Sequence, residues 1–353
     1  MSLNFTTITT ITQLQSLWNK HPHIFSTTVF NSPDWQLNWL EHYWQPHWQL
    51  CSYAIYDHER LVAFAPFYIQ PKTHCFDISI LYPLGQGEPE QSEVASEYVD
   101  IIILPGYEKT VIALLKTKID MLNIDQIIWR ANLNTAQINK LLATADEDFK
   151  RSPLARFIIA TNNWQLSQLS KNNRSRYQRS IKQLENINAH FCWVSPEDYP
   201  AYLLKLAQYH QVRWQAHGCL GAFAEQSFKD FHQTIIQKCF SSKVRMSAIV
   251  IDDTPIAINY YFIDNRTLYF YQSGWDTVNY AKFSIGMALH LWSIDNNPRE
   301  FYDFMMGATN NSYKLKFKTM TYPMNNIDHR VKPWKITLHR LLSKLTKYIG
   351  QFK

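Results

Sequence analysis

Three apolar-rich runs, Val244 to Asp252, Pro255 to Asp264 and Arg266 to Ser273, are separated only by the short turns Asp252-Asp253 and Asp264-Asn265. Runs this close together form an antiparallel meander, because a parallel return needs a much longer crossover. A helical run follows, opened by Phe283-Ser284-Ile285-Gly286 and carried through Met287 to Trp292, and then the strand Phe301-Tyr302-Asp303-Phe304-Met305-Met306. Two helical stretches precede the meander, Glu197 to Gly218 and Glu225 to Phe240. The second half therefore reads helices, three antiparallel strands, helix, strand. That order restricts it to a sheet flanked by helices, an α/β (α+β) fold.

The same region concentrates the chemistry. A strand, Tyr269 to Asp276, feeds the helix through a small-residue turn. The first N–H groups of a helix have no carbonyl one turn earlier to bond, and with the helix dipole they attract an anion such as a phosphate. Ionisable and polar residues fall at strand ends: Asp276, Asp303, Tyr313 and Lys314. Asp276 fits either a base or the cap of its own turn. Asp303 lies between aromatics, where burial requires a partner, and Lys314 or Arg213 would supply one. His210, Arg213 and Trp214 share one helix face.

At 353 residues the chain exceeds the usual single core, which predicts two domains, 1–160 and 161–329, with a tail at 330–353. In the first half, Ser32-Pro33-Asp34 has the residues of a helix start, and Trp35, Trp39 and Tyr43 form an aromatic packing stripe. Strands are expected at Cys51 to Tyr56, Leu61 to Ile69, Ser79 to Leu84, Tyr98 to Leu104 and Ile124 to Trp129. Helices are expected at Lys109 to Leu122 and Ala136 to Ala145. With 9 Gly in the whole chain, the composition argues against a Gly-rich phosphate loop. The five cysteines form no Cys-x-x-Cys pair, which argues against a zinc site and fits a reducing compartment. The start lacks the pattern of a signal peptide, and no apolar run is long enough to span a membrane. The expectation is a cytoplasmic protein, with peripheral contact at the inner membrane left open.

The net charge of +6 is unevenly placed. Residues 330–353 hold seven Lys/Arg and no acid, so the rest is close to neutral. In that tail Leu338, Leu341, Leu342, Leu345 and Ile349 recur at helical spacing. This amphipathic pattern fits contact with an anionic membrane or docking on the protein itself. A second basic helix carries Lys171, Arg174, Arg176, Arg179 and Lys182, which fits a solvated face, a groove for an anion, or a tRNA contact.

The order Tyr-x-Ser-Gly-Trp-Asp (271–276), Ser284-x-Gly286, Asp303-Phe304-x-x-Gly307 and Tyr313-Lys314 resembles the CelD-like, cellulose-biosynthesis-type acetyltransferases. These belong to the GNAT (acyl-CoA N-acyltransferase) superfamily and are related to the Fem-type aminoacyltransferases. The likeness reaches back through Leu206 to Trp214 to Phe30-Asn31-Ser32-Pro33-Asp34-Trp35 and Glu97-Tyr98-Val99-Asp100, and covers roughly residues 30 to 318.

It implies two tandem GNAT-like domains with mixed, largely antiparallel sheets, the second catalytic. It implies acetyl-CoA or another acyl-CoA as donor, no metal, and an amine acceptor on a sugar or cell-envelope polysaccharide precursor of a bacterium. The donor would lie on Tyr271, Gln272, Ser273, Lys282, Ser284, Ile285 and Gly286. Main-chain N–H groups of the splayed strand around Tyr271 would hold the oxyanion. His210, Asp276, Asp303 and Tyr313 are the catalytic candidates. Arg213, Trp214, Trp275 and Lys314 are the substrate-binding ones. The phosphate turn departs from the superfamily pattern, with Ala281 and Ser284 where Gln/Arg and the first Gly are usual. Aminoacyl-tRNA therefore remains an alternative donor, and a non-catalytic membrane-associated scaffold an alternative role. Nucleic acid is otherwise not expected as a partner.

Overall fold

The computed structural model describes residues 3–22, 28–74, 77–143, 149–216, 218–239, 242–309 and 312–350, with side chains of 149–152 and 343–350 outside the description. The chain divides into two compact units. One holds residues 1–88, 95–154 and 323–353, and the other holds 89–94 and 155–322.

The first unit begins with β1 (Leu3–Ile8), α1 (Ile11–Lys20) and α2 (Pro33–Tyr43). Ser32 caps α2 by accepting from Trp35 N, and Pro33 opens it, as the Ser-Pro-Asp sequence requires. Strands β2 (Gln49–Leu50), β3 (Ser52–Asp57), β4 (Arg60–Ala65), β5 (Phe67–Gln70), β6 (Ile80–Pro83) and β7 (Ile102–Ile103) follow, then α3 (Glu108–Asp120), β8 (Gln126–Leu133) and α4 (Gln137–Leu141). The run expected as one strand from Leu61 to Ile69 is two, in different sheets, because Pro66 has no N–H for a ladder. The strand expected at Tyr98 to Leu104 shrinks to Ile102–Ile103. Ala95 and Tyr98 have positive φ, and Tyr98 N and Asp100 N bond Ala131 O and Asn31 Oδ1.

Trp35 and Trp39 are wholly buried, and each indole N–H is satisfied, by Ser96 Oγ at 2.8 Å and Glu88 Oε2 at 3.0 Å. Asn31 Nδ2 donates to Tyr98 O at 3.0 Å. The two family-like motifs of this half thus tie the 95–100 segment to α2.

The second unit comprises β9 (Phe149–Ala160, its first residues in the first unit), α5 (Lys171–Glu185), β10 (His190–Trp193), α6 (Tyr199–Gln215), α7 (Gln226–Cys239), β11 (Val244–Ile251), β12 (Thr254–Ile263), β13 (Thr267–Trp275), α8 (Ile285–Asp295) and β14 (Phe301–Gly307). Its sheet runs β10-β11-β12-β13-β14-β9, antiparallel except for the parallel pair β13–β14. The meander, helix and strand expected from the sequence are all present. Strands β9 and β10 lie outside that expectation.

The chain then returns to the first unit through β15 (Met320–Arg330) and α9 (Pro333–Gly350). The division falls at Tyr322/Pro323 rather than 329/330 because β15 pairs antiparallel with β8, Met324 opposite Leu133 and Arg330 opposite Gln126. The first unit's sheets run β1-β3-β4-β7, all antiparallel, and β15-β8-β6-β5-β2, with β6–β8 parallel. Among the described residues, no helix is long and apolar enough to cross a membrane.

Candidate active site

Alternation along β12 assigns the two faces of the second unit's sheet. Tyr260 and Phe262 point to His232 of α7, while Tyr261 bonds Ser247, whose hydroxyl reaches Ser293 of α8. Helix α6 lies on β12 and β13, and Gly274 permits it. A Cβ at 274 would stand 2.6 Å from Leu206 O and 3.0 Å from Tyr209 Cβ.

The strands β13 and β14 pair only over Thr267–Tyr269 and Phe301–Asp303, then part. Two irregularities turn them aside. In β13, Tyr261 opposes Phe270 while Tyr260 opposes Gln272, so Tyr271 is an extra, bulged residue. In β14, Met305 takes φ +61° and the register with β9 jumps between Asp303 and Met306. Lys314 Nζ donates to the carbonyls of Phe304 (2.6 Å), Met305 (3.3 Å) and Met306, holding the kink. The bulge is held by Tyr271 Oη, which donates to Val94 O (2.8 Å). His232 Nε2–H therefore donates to Tyr271 Oη (3.1 Å), and its Nδ1 accepts from Tyr260 Oη (3.3 Å).

A helix start stands at the end of β13. Ser284 takes the left-handed conformation, φ 54° and ψ 35°, and α8 begins at Ile285. Arg176 of the basic helix α5 donates from Nε to Ser284 Oγ at 2.7 Å, and Ser180 Oγ donates to Phe283 O. Lys282 is exposed beside it. The indole of Trp275 lies 3.7–3.8 Å from where a Gly286 Cβ would stand, and the Arg213 guanidinium sits 4.9 Å above the same ring. Arg213, Trp275 and Gly286, distant in sequence, thus form one stack. Tyr313 joins this neighbourhood. Burial pushes its phenol up to about 12, Arg213's charge opposing, although the residue keeps 46% of its surface exposed.

The other expected residues are engaged within the protein. Asp276 caps its turn, accepting from Val278 N (3.0 Å), Asn279 N (2.9 Å) and Asn279 Nδ2 (2.8 Å). Burial raises its pKa, and these bonds outweigh burial and hold it below the usual range. Asp303 is wholly buried and paired with Arg156, a partner the sequence did not point to, through Nε (2.8 Å) and Nη2 (2.7 Å). It also accepts from Met305 N at 2.7 Å. Burial pushes its pKa up against these bonds.

His210, 3% exposed, accepts from Trp214 Nε1 through Nε2 at 2.8 Å. Burial, then Arg213's charge, lowers its pKa to about 4. His210 and Asp303 do not form one hydrogen-bonded group. Among the described residues no cluster of His, Cys, Asp or Glu could hold a metal.

His290 was not among the expected residues. Its ring lies 4.4 Å from Phe270 of β13 and 5.0 Å from Phe304 of β14, over the point where these strands part. A chain of bonds sets its tautomer. Ser293 Oγ must donate to Leu289 O (2.7 Å), so it accepts from Ser247 (2.9 Å), which accepts from Tyr261 (3.0 Å), which accepts from Tyr302 (3.5 Å). Tyr302 therefore accepts from His290 Nδ1–H (2.7 Å). Burial, then Lys314's charge, lowers the imidazole to about 3 and keeps it neutral. Only alternation within an apolar helix could have flagged it, and that pattern is shared by core residues.

The profile of the acetyltransferase (GNAT) domain family matches residues 171–315. That stretch runs from the first residue of α5 past Tyr313 and Lys314, so the parted strands, the helix start and the α5 arginine all lie inside the matched region, and the match supports an acyltransferase. No curated protein sequence matches the chain.

Solved structures share the fold at low identity. The crystal structure of FemX has 9% identity, covering 95% of this chain and all of that one, at TM-score 0.62. A conserved protein of unknown function from Bacteroides thetaiotaomicron VPI-5482 has 12% identity over 93% and 100%, at 0.52. L-PGS from Bacillus licheniformis has 10% over 88% and 96%, at 0.51.

Proposed function

We propose that the protein moves an acyl group, acetyl in the first instance, from coenzyme A to an amino group of a sugar or cell-envelope polysaccharide precursor. The observation that carries this is the gap between β13 and β14 opening beside the start of α8. One holds a thioester and the other a pyrophosphate. The N–H groups of Ile285 and Gly286, with Arg176 and Lys282, receive the pyrophosphate. Arg176 supplies the cation that the turn itself lacks at Ala281. The bulge at Tyr271 and the following Gln272 and Ser273 turn main-chain N–H groups toward the thioester oxygen, where charge develops during transfer. The neutral amine attacks the carbonyl, the C–S bond breaks, Tyr313 gives its proton to the thiolate, and the proton shed by the amine nitrogen restores the Tyr313 phenol.

Arg213, Trp214 and Trp275 form the acceptor side, where indole faces suit a sugar ring. His210, Asp276, Asp303 and Lys314 act by holding this framework rather than on the substrate. The acceptor class rests on the family resemblance.

A Fem-type reaction from aminoacyl-tRNA is the second reading. It is favoured by the exposed Lys171, Arg179 and Lys182 on α5 and by the likeness in fold to FemX. Thermal melts with acetyl-CoA, longer acyl-CoA and charged tRNA separate the two. At about 100 times its dissociation constant a true donor adds about 2.7 kcal/mol of stability. Stabilisation by tRNA and not by any acyl-CoA would overturn the first reading.

A further inference from the structure

Helix α9 is held by one side. Ile336 is 1% exposed. Lys332 and Lys335 reach the buried Asp125 carboxylate at 3.2 and 3.3 Å, where Lys72 joins them at 3.3 Å, and Arg340 reaches Asp328 at 3.3 Å. These contacts all lie within the first unit, not in the second domain. A helix turns about 100° per residue, so Trp334, Leu338 and Leu341 fall within a stripe about 60° wide. Ile336, two residues from Trp334, lies about 200° round from it. The stripe therefore faces away from the docked side, and its members are 66%, 42% and 56% exposed. An apolar row turned outward on a helix anchored at the opposite side is not the covering of the protein's own core.

Charge decides what would cover it. Residues 330–353 carry seven Lys/Arg and no acid. A second copy of this helix would set like charges against like. A surface of anionic headgroups complements both properties at once, since basic side chains meet phosphates while Trp and Leu enter the boundary with the acyl chains. We propose that α9 seats the protein on an anionic lipid surface through Trp334, Leu338 and Leu341. This goes beyond the donor and acceptor assignments and does not depend on them.

The test is cosedimentation of the full chain with phosphatidylcholine vesicles with and without phosphatidylglycerol. Binding is expected only to the anionic vesicles, and it should fall steeply between about 0.1 and about 0.5 M salt as screening shortens the reach of the charges. Leu338→Ser with Leu341→Ser should abolish it while leaving the urea unfolding midpoint unchanged, because both residues are exposed. Lys344→Gln and Lys347→Gln should each lower partitioning about fivefold. Equal binding to neutral vesicles, no binding at all, or a concentration-dependent dimer lost on the same Leu→Ser changes would each overturn the proposal.

Discussion

Arg156→Met tests whether Asp303 is a framework residue or a working base. Asp303 is wholly buried, and Arg156 reaches it with two nitrogens at 2.7 and 2.8 Å. Removing the arginine leaves a wholly buried carboxylate without its two-nitrogen partner. Breaking a buried pair in this way costs about 3–5 kcal/mol. The carboxyl can escape by taking a proton, so its folded pKa in the variant rises further above the unfolded value of about 3.9. The folded state then binds the extra proton. The variant should therefore regain stability relative to the parent as pH falls from about 7 toward about 4, by up to about 1.4 kcal/mol per unit. Arg156→Met with Asp303→Leu removes both charges and should recover most of the loss. Urea unfolding of the parent, both single variants and the double variant at several pH values provides the measurement. A loss under about 1 kcal/mol for Arg156→Met, or a double variant no better than the single ones, would refute the ion-pair reasoning. Full stability of Asp303→Asn with activity abolished would return Asp303 to the catalytic group.

Two other outcomes follow from the geometry. Gly286→Glu places a carboxylate at the start of α8, and Arg176→Ala removes the cation beside Ser284. Both should lower coenzyme A affinity at least about tenfold in calorimetry with the fold retained, and unchanged affinity would move the phosphate seat elsewhere. His210 and His290, lowered to about 4 and about 3, stay neutral in the fold while the unfolded chain takes protons below its ordinary value of 6.5. Their contribution is present above about 6.5 and is lost as pH falls toward about 4. Asp100, raised to about 6 by burial, acts in the opposite sense between about 6 and about 4, so a His290→Phe variant should unfold with a visibly flatter acid dependence than the parent.

Local signals carried much of this fold. The meander at 244–273 is legible because turn residues punctuate β-branched and aromatic runs, and α2 because Ser32 and Pro33 can cap and open a helix. The turn proposed to seat a phosphate is legible for the same kind of reason, since a strand, a short turn and a helix in succession leave N–H groups free wherever they occur. The tail's apolar row was equally visible, though not the side it would turn outward. What covers a helix depends on residues such as Asp125, about two hundred positions away in sequence.

The site's inner partners were not legible. Asp303 read as a carboxylate in need of a cation, yet no local rule points to Arg156 on a strand 147 residues earlier. Tyr271 lies in a strand by sequence, but its bulge exists only against β12, and the parting of β13 from β14 only against a kink held by Lys314. His290 looks like one more residue of an apolar helix until Phe270, Phe304 and Tyr302 surround it. The sequence by itself determined the order of elements, the helix caps and the sign of the charges, because those follow from backbone preference and side-chain chemistry over a few residues. Tertiary structure alone decided which carboxylate is paired, which histidine is neutral and where the strands open. Those depend on burial and on partners that come together only when distant segments pack.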